Sequence, residues 1–287
     1  MPINNILFTT ETPSDVHPDL REAYDIKTVP LHVHLGDDEY YDGEITQQYI
    51  YDTFKEKKIL PSTSAVSVGE YQEFFQPYVD QGLQIIHVAM SSGISSTYNN
   101  ACIAVKDKGW ENQVHVFDSK ALSQTTGIPL FKGAEMAQDG ASVDEICSSI
   151  ETMIPKLDSS FMITSLDFLR HGGRCSTLAA LGANLLKLNP LINMDGGSMT
   201  VSKKYRGKAP NVYIQYIDDR FKDGREDIYD KEFAFVSHVL VDPDIIDTCV
   251  KHLKDTYHFK KVYVNECSCV ITAHGGKGAF GVFALKK

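Results

Sequence analysis

Short apolar runs alternate with helix-patterned segments through the first half of the chain, and that alternation leaves few folds open. INNILFT (3–9), LQIIHVAM (83–90) and VHVFDS (114–119) are apolar with little interruption. Strands of that kind are buried on both faces, as in a parallel sheet covered by helices. IKTVPLHVHL (26–35) reads as a further strand, with Pro30 marking an edge or an irregularity. Between these runs, residues 46–57, 96–108 and 122–138 have helical spacing. Ser67 with Glu70, and Ser142 with Glu145, form capping boxes that predict helices starting at 68 and 143. PSTSA (61–65) is expected to be an extended loop.

The pattern changes near IPKLDSS (154–160). FMITSL (161–166), EFAFVSHVLV, KKVYVNECSCVITA and GAFGVFALK read as strands, and LINMDGGSMTVSKK as a hairpin around Asp195-Gly196-Gly197. A Gly-Gly turn and a small-residue helix are expected in HGGRCSTLAALGANLLKL, and another helix near 243–256. The expected fold is α/β in two domains. Residues 1–157 form a parallel α/β/α domain, and residues 158–287 an α+β domain with a mixed sheet.

The formal charge of −10 argues against a nucleic-acid binder. Residues 170–208 run against this balance, with seven Lys and Arg against the single Asp195. That segment reads either as a solvated face or as a docking surface for an acidic partner. No apolar run is long enough for a transmembrane segment, and MPINNILF lacks the basic start of a signal peptide. The six cysteines match no disulfide framework. Cys267 and Cys269 would share one strand face but lack the second ligand pair of a zinc site. Reduced thiols, no metal and a cytoplasmic location are expected.

Three segments could carry chemistry. MSSGISSTYNNA (90–101) places five hydroxyls after an apolar strand and before a helix, where backbone amides and the helix dipole favour an anion. Capping accounts for only one of them. PSTSA is a second hydroxyl cluster. In TAHGGKGAFG (272–281), His274 precedes a glycine turn that permits close backbone approach. Neither a P-loop nor a strand-anchored G-x-G-x-x-G is present.

These segments, in this order, resemble the DegV family of bacterial fatty-acid-binding proteins, including its FakB-like members. The resemblance runs through FTTETPSDV, PSTSAVSVGEY, MSSGISSTYNNA, VFDSKALS, FLRHGGRCSTLAALGANLLKLNPLI, DGGSMTVSKKYRGK and AHGGKGAFG. It implies a protein, not an enzyme, that buries one long-chain fatty acid such as hexadecanoate and needs no cofactor. By motif position, Thr63 and Ser95 are the implied head-group hydroxyls, with Ser92 as the alternative serine, and His274 is the implied histidine beside them. Some members present the fatty acid to a fatty acid kinase subunit, which converts the carboxyl group to an acyl phosphate for phospholipid synthesis. Arg174 and Arg206, with Arg170 nearby, are the residues implied to engage it. Transient membrane contact is compatible with that role. IIHVA, FMITSL and Leu178 to Leu188 are expected to line the acyl tunnel. Two positions depart from the family's usual pattern: Glu11 stands where an aspartate is usual, and Lys277 where a proline is usual.

The alternative is a hydrolase or other acyl-handling enzyme using Ser95 and His274, with Asp118 as a third member. No G-x-S-x-G nucleophile elbow supports it. A phosphate-handling protein lacks a nucleotide loop and a metal-binding carboxylate cluster. A regulatory module without a small ligand is the third reading.

Overall fold

The computed structural model describes residues 2–173, 188–222 and 228–287. Arg174 and residues 178–187 of the expected tunnel lining lie outside the described residues. The first half contains β1 (Ile6–Glu11), α1 (Pro18–Ala23), β2 (Lys27–Val29), β3 (His32–Leu35), β4 (Asp38–Tyr41) and α2 (Gln47–Lys57). It continues with β5 (Ser62–Ser64), α3 (Val68–Val79), β6 (Gln84–Ala89), α4 (Thr97–Lys108), β7 (Val114–Asp118), α5 (Gln124–Gln138) and α6 (Val143–Met153). The second half contains β8 (Leu157–Met162), α7 (Asp167–His171), β9 (Leu188–Asp195), β10 (Ser198–Arg206) and α8 (Asn211–Phe221). It ends with β11 (Phe233–His238), α9 (Pro243–Asp255), β12 (Lys261–Glu266), α10 (Cys269–Gly275) and β13 (Phe280–Leu285).

The expected α/β architecture is present. Strands β2-β1-β6-β7 form a sheet in which every pair is parallel. Successive residues of β6 feed opposite cores, as a strand's alternation requires. Ile85 packs with Tyr71, Phe75 and Ala104, whereas Ile86 and Val88 pack with Leu130 and Ala134. Both capping boxes form, so α3 and α6 begin where their serines predict.

The second sheet is mixed, in the order β10-β9-β8-β13-β11-β12, with only β11 and β12 parallel. Gly196 and Gly197 form the expected hairpin turn, both with positive φ, the conformation that a tight two-residue hairpin needs. A small antiparallel sheet, β4-β3-β5, completes the fold.

Several boundaries differ from expectation. Residues 26–35 are two strands: Pro30 supplies no N–H, so β2 stays with β1 while β3 leaves for the small sheet. PSTSA is not merely a loop, because β5 pairs with β3 and sets Thr63 opposite Val33. Strand β8 starts at Leu157, four residues ahead of FMITSL, directly after a 3₁₀ turn at Ile154–Lys156. The run KKVYVNECSCVITA is strand only to Glu266. There the Ser268 hydroxyl accepts the Ile271 N–H at 3.2 Å and caps α10. Cys267 and Cys269 therefore do not share a strand face. Helix α8 went unanticipated, since its buried residues are mostly aromatic or β-branched, with weak helical preference.

Candidate functional site

Helix α10 organises the site. Val270, Ile271, His274 and Gly275 share one helical face, and Cys267 directly precedes the Ser268 N-cap. All five line a single cavity. Opposite them stand Leu31, Thr63 and Ala65 from the small sheet and its entry, and Met90, Ile94 and Ser95 from the segment after β6. Leu122 and Ser123 precede α5, while Phe161, Ser237, Phe280, Gly281 and Phe283 come from the mixed sheet. The cavity thus lies between the two sheets, beyond the carboxyl edge of the parallel one, where ligands bind in open α/β folds. Its hydroxyl and imidazole groups are Thr63, Ser95, Ser123, Ser237 and His274; nearly all the rest of its wall is apolar.

Thr63 and His274 meet at the wall, with Thr63 Oγ1 2.9 Å from His274 Nε2. The β3–β5 register holds the threonine. The histidine is held through the N-terminus of its helix. There the Ser268 N–H donates to Asp15 Oδ1 at 2.7 Å and the Cys269 N–H to Asp42 Oδ1 at 2.8 Å. Carboxylates at a helix N-terminus complement its dipole. Burial nonetheless pushes the Asp15 carboxyl up to about 7, against the hydrogen bonds it accepts from Ser123 and Ser268. Burial also raises Asp42.

The five hydroxyls of MSSGISSTYNNA divide their work. Ser95 lines the cavity, and its Oγ also accepts the Thr97 N–H at 3.3 Å where α4 begins. Ser91 is buried and donates to the Gly197 carbonyl at 2.7 Å, tying the loop to the β9–β10 hairpin. Ser92 is not among the lining residues. Its N–H donates to Asp118 at 3.1 Å, and its hydroxyl accepts from Lys120 at 3.2 Å. Burial favours a neutral Asp118, but the hydrogen bonds from Lys120 and Ser92 outweigh it and hold the carboxyl below its usual range. Ser96 stands at the N-cap of α4 without a side-chain cap bond, and Thr97 is fully buried.

The two unusual positions have separate roles. Glu11 is fully buried and accepts the Tyr71 hydroxyl and the Met90 N–H, each at 2.7 Å. It joins the ends of β1 and β6 to α3 and is not among the residues lining the cavity. Lys277 Nζ lies 4.8 Å from the centroid of the Tyr51 ring, a cation–π contact.

Residues 5–287 match the family model described as "Uncharacterised protein, DegV family". The chain belongs to the DegV family. A DegV family protein from Thermus thermophilus, described by its fatty acid binding, superposes with a TM-score of 0.89 at 24% identity, covering 98% of this chain and 99% of that one. DegV from Bacillus subtilis, described as a fatty acid binding protein, gives 0.84 at 25% identity, with 99% of each chain covered. The Fatty Acid Kinase (Fak) B3 protein of Streptococcus pneumoniae, loaded with linoleic acid, gives 0.83 at 16% identity over 100% of both chains.

In this DegV chain, Arg170 is exposed on the last turn of α7, and Arg206 is exposed at the end of β10 beside Lys203 and Lys204. Among the expected tunnel segments, Phe161 does line the cavity but IIHVA does not. Strand β6 is central, so helices cover both its faces and its apolar residues serve as core. Leu188, the one described member of the third segment, borders the basic face instead. Ser123, Ser237 and Gly281 were not singled out from the sequence. A lone serine inside FAFVSHVLV, and a lone glycine inside AFGVFAL, were the available signals.

Proposed function

We propose that this DegV chain is a non-catalytic carrier of long-chain fatty acids. The observation that carries the reading is the mainly apolar cavity with the Thr63–His274 pair and Ser95 in its wall. Each buried methylene contributes about 0.8 kcal/mol, so a hexadecanoate-sized chain gains on the order of 10 kcal/mol before the cost of immobilising it. The carboxylate requires donors, since burying it unpaired is costly. Thr63, Ser95 and His274 supply them from neutral or titratable groups, which suits an acid that must later be released.

The carrier then presents the carboxyl group to a fatty acid kinase for acyl phosphate formation, with Arg170, Arg174 and Arg206 on the docking face. The Streptococcus relative named for fatty acid kinase supports a partner of this kind. On this reading the protein works in the cytoplasm and touches membranes transiently. Among the described residues no helix is long and apolar enough to cross one. Residues 1–157 and 158–287 act as the two domains that close on the chain. The hydrolase alternative has weaker support: His274 Nε2 faces Thr63, and Ser95 Oγ accepts the Thr97 N–H.

Native mass spectrometry of the purified protein tests the carrier directly. A retained species with the mass of a long-chain fatty acid is expected. A protein that neither retains such an acid nor takes up added hexadecanoate would refute it.

A further inference from the structure

The cavity has a second polar position well away from His274. Cys267 precedes the Ser268 N-cap of α10 and His274 lies in its last turn; the five steps from Cys269 to His274 rise about 7.5 Å, and the extended residues before them bring the separation to the order of 10 Å. Ser123 and Ser237 lie at the Cys267 end: the Cys267 N–H donates to the carbonyl of His238, the neighbour of Ser237, at 2.9 Å. Their hydroxyl oxygens are 3.3 Å apart and both residues line the cavity. The cross-strand partner of Ser237 is Gly281, also in the lining, and the Phe283 ring lies over that glycine.

The hydrogen bonds behind the pair fix what it can offer. Ser123 donates to Asp15 Oδ2 at 2.5 Å, which commits its only proton. Ser237 accepts from Gln124 Nε2 at 2.8 Å, so its own proton is not committed there. With the Ser123 proton on Asp15, the 3.3 Å contact is a long hydrogen bond from Ser237 to Ser123, and a ligand alcohol that replaced it would donate to Ser123 Oγ and accept from Ser237. An alcohol matches both at once, whereas a plain methylene matches neither.

Resting on the carrier reading, we infer that Ser123 and Ser237 form a subsite for a hydroxyl group on the acyl chain, so that the ligand class includes mid-chain hydroxy fatty acids. A staggered alkyl chain advances about 1.25 Å per carbon, the projection of a C–C bond of about 1.5 Å. A carboxylate at Thr63 and His274 then brings roughly carbon 9 or 10 to the serines.

The test is a competition assay with octadecanoate, 10-hydroxyoctadecanoate and 3-hydroxyoctadecanoate on wild type and Ser237→Ala. The quantity read is the affinity of each hydroxy acid relative to octadecanoate. In wild type the 10-hydroxy acid is expected to bind at least as tightly as octadecanoate. Ser237→Ala should lower that ratio about tenfold and leave the 3-hydroxy ratio unmoved. A wild-type ratio below one tenth, a 10-hydroxy ratio unaffected by the substitution, or an equal fall in both ratios would overturn the subsite while leaving the carrier intact. Failure of all three acids to bind wild type would overturn the carrier and the subsite together.

Discussion

Gly172 packs so tightly against His274 that a Cβ at position 172 would lie 2.2 Å from the imidazole Nδ1. Only a hydrogen fits there, and the close approach fixes the ring that faces Thr63. Gly172→Ala should therefore displace His274 and weaken fatty-acid binding about tenfold or more. A crystal structure of the variant together with a binding titration checks this. An unmoved ring would contradict the packing argument, and a displaced ring with wild-type affinity would contradict the role of His274.

Glu11 should be a scaffold residue. Replacing it by aspartate, the family's more usual residue, shortens the side chain by one methylene, so it cannot keep both the Tyr71 and the Met90 contacts. A loss of about 1–3 kcal/mol is expected in urea denaturation, the cost of a buried polar group left without its partner. Unchanged stability would show that the neighbouring backbone relaxes freely.

Asp15 should make stability depend on pH. The folded protein holds its carboxyl at about 7, against an ordinary value of 3.8, because burial penalises the charge. A raised folded pKa means that the native state binds the proton more tightly than the unfolded chain does. This contribution is complete below pH of about 4 and is lost as pH rises towards 7 and beyond. Wild type should therefore lose a few kcal/mol relative to Asp15→Asn between about pH 4 and 8. Chemical denaturation at several pH values measures the difference, and parallel pH profiles would contradict it.

Arg170 and Arg206 should act on the partner and not on the lipid. Replacing both with alanine is expected to slow kinase-dependent acyl phosphate formation at least tenfold, chiefly through slower association, and to flatten its dependence on salt. Fatty-acid affinity should stay within about twofold of wild type, because exposed rim charges govern encounter more than burial does. Loss of lipid binding in this variant would refute the division of roles.

Local features were the most legible in the sequence. The two capping boxes and the Gly196-Gly197 hairpin depend on neighbours a few residues apart, and each formed where its residues indicated. Helix α10 was obscured because its apolar residues continue those of β12, and the signal at Ser268 was only a single hydroxyl. The site itself rests on long-range geometry. Thr63 and His274 are 211 residues apart in sequence, and Ser123 and Ser237 are 114 apart. No periodicity within one segment encodes such a meeting; ordered resemblance pointed to the first pair, and only the packed sheets revealed the second.

The central claim is that Thr63 and Ser95 grip the carboxylate of a buried fatty acid, and the most direct measurement is hexadecanoate affinity in wild type and in the Thr63→Ala/Ser95→Ala double variant. A hydrogen bond to a charged group is worth about 1.5–3 kcal/mol, so the double variant should bind at least tenfold more weakly while remaining folded. An affinity equal to that of wild type would contradict the account.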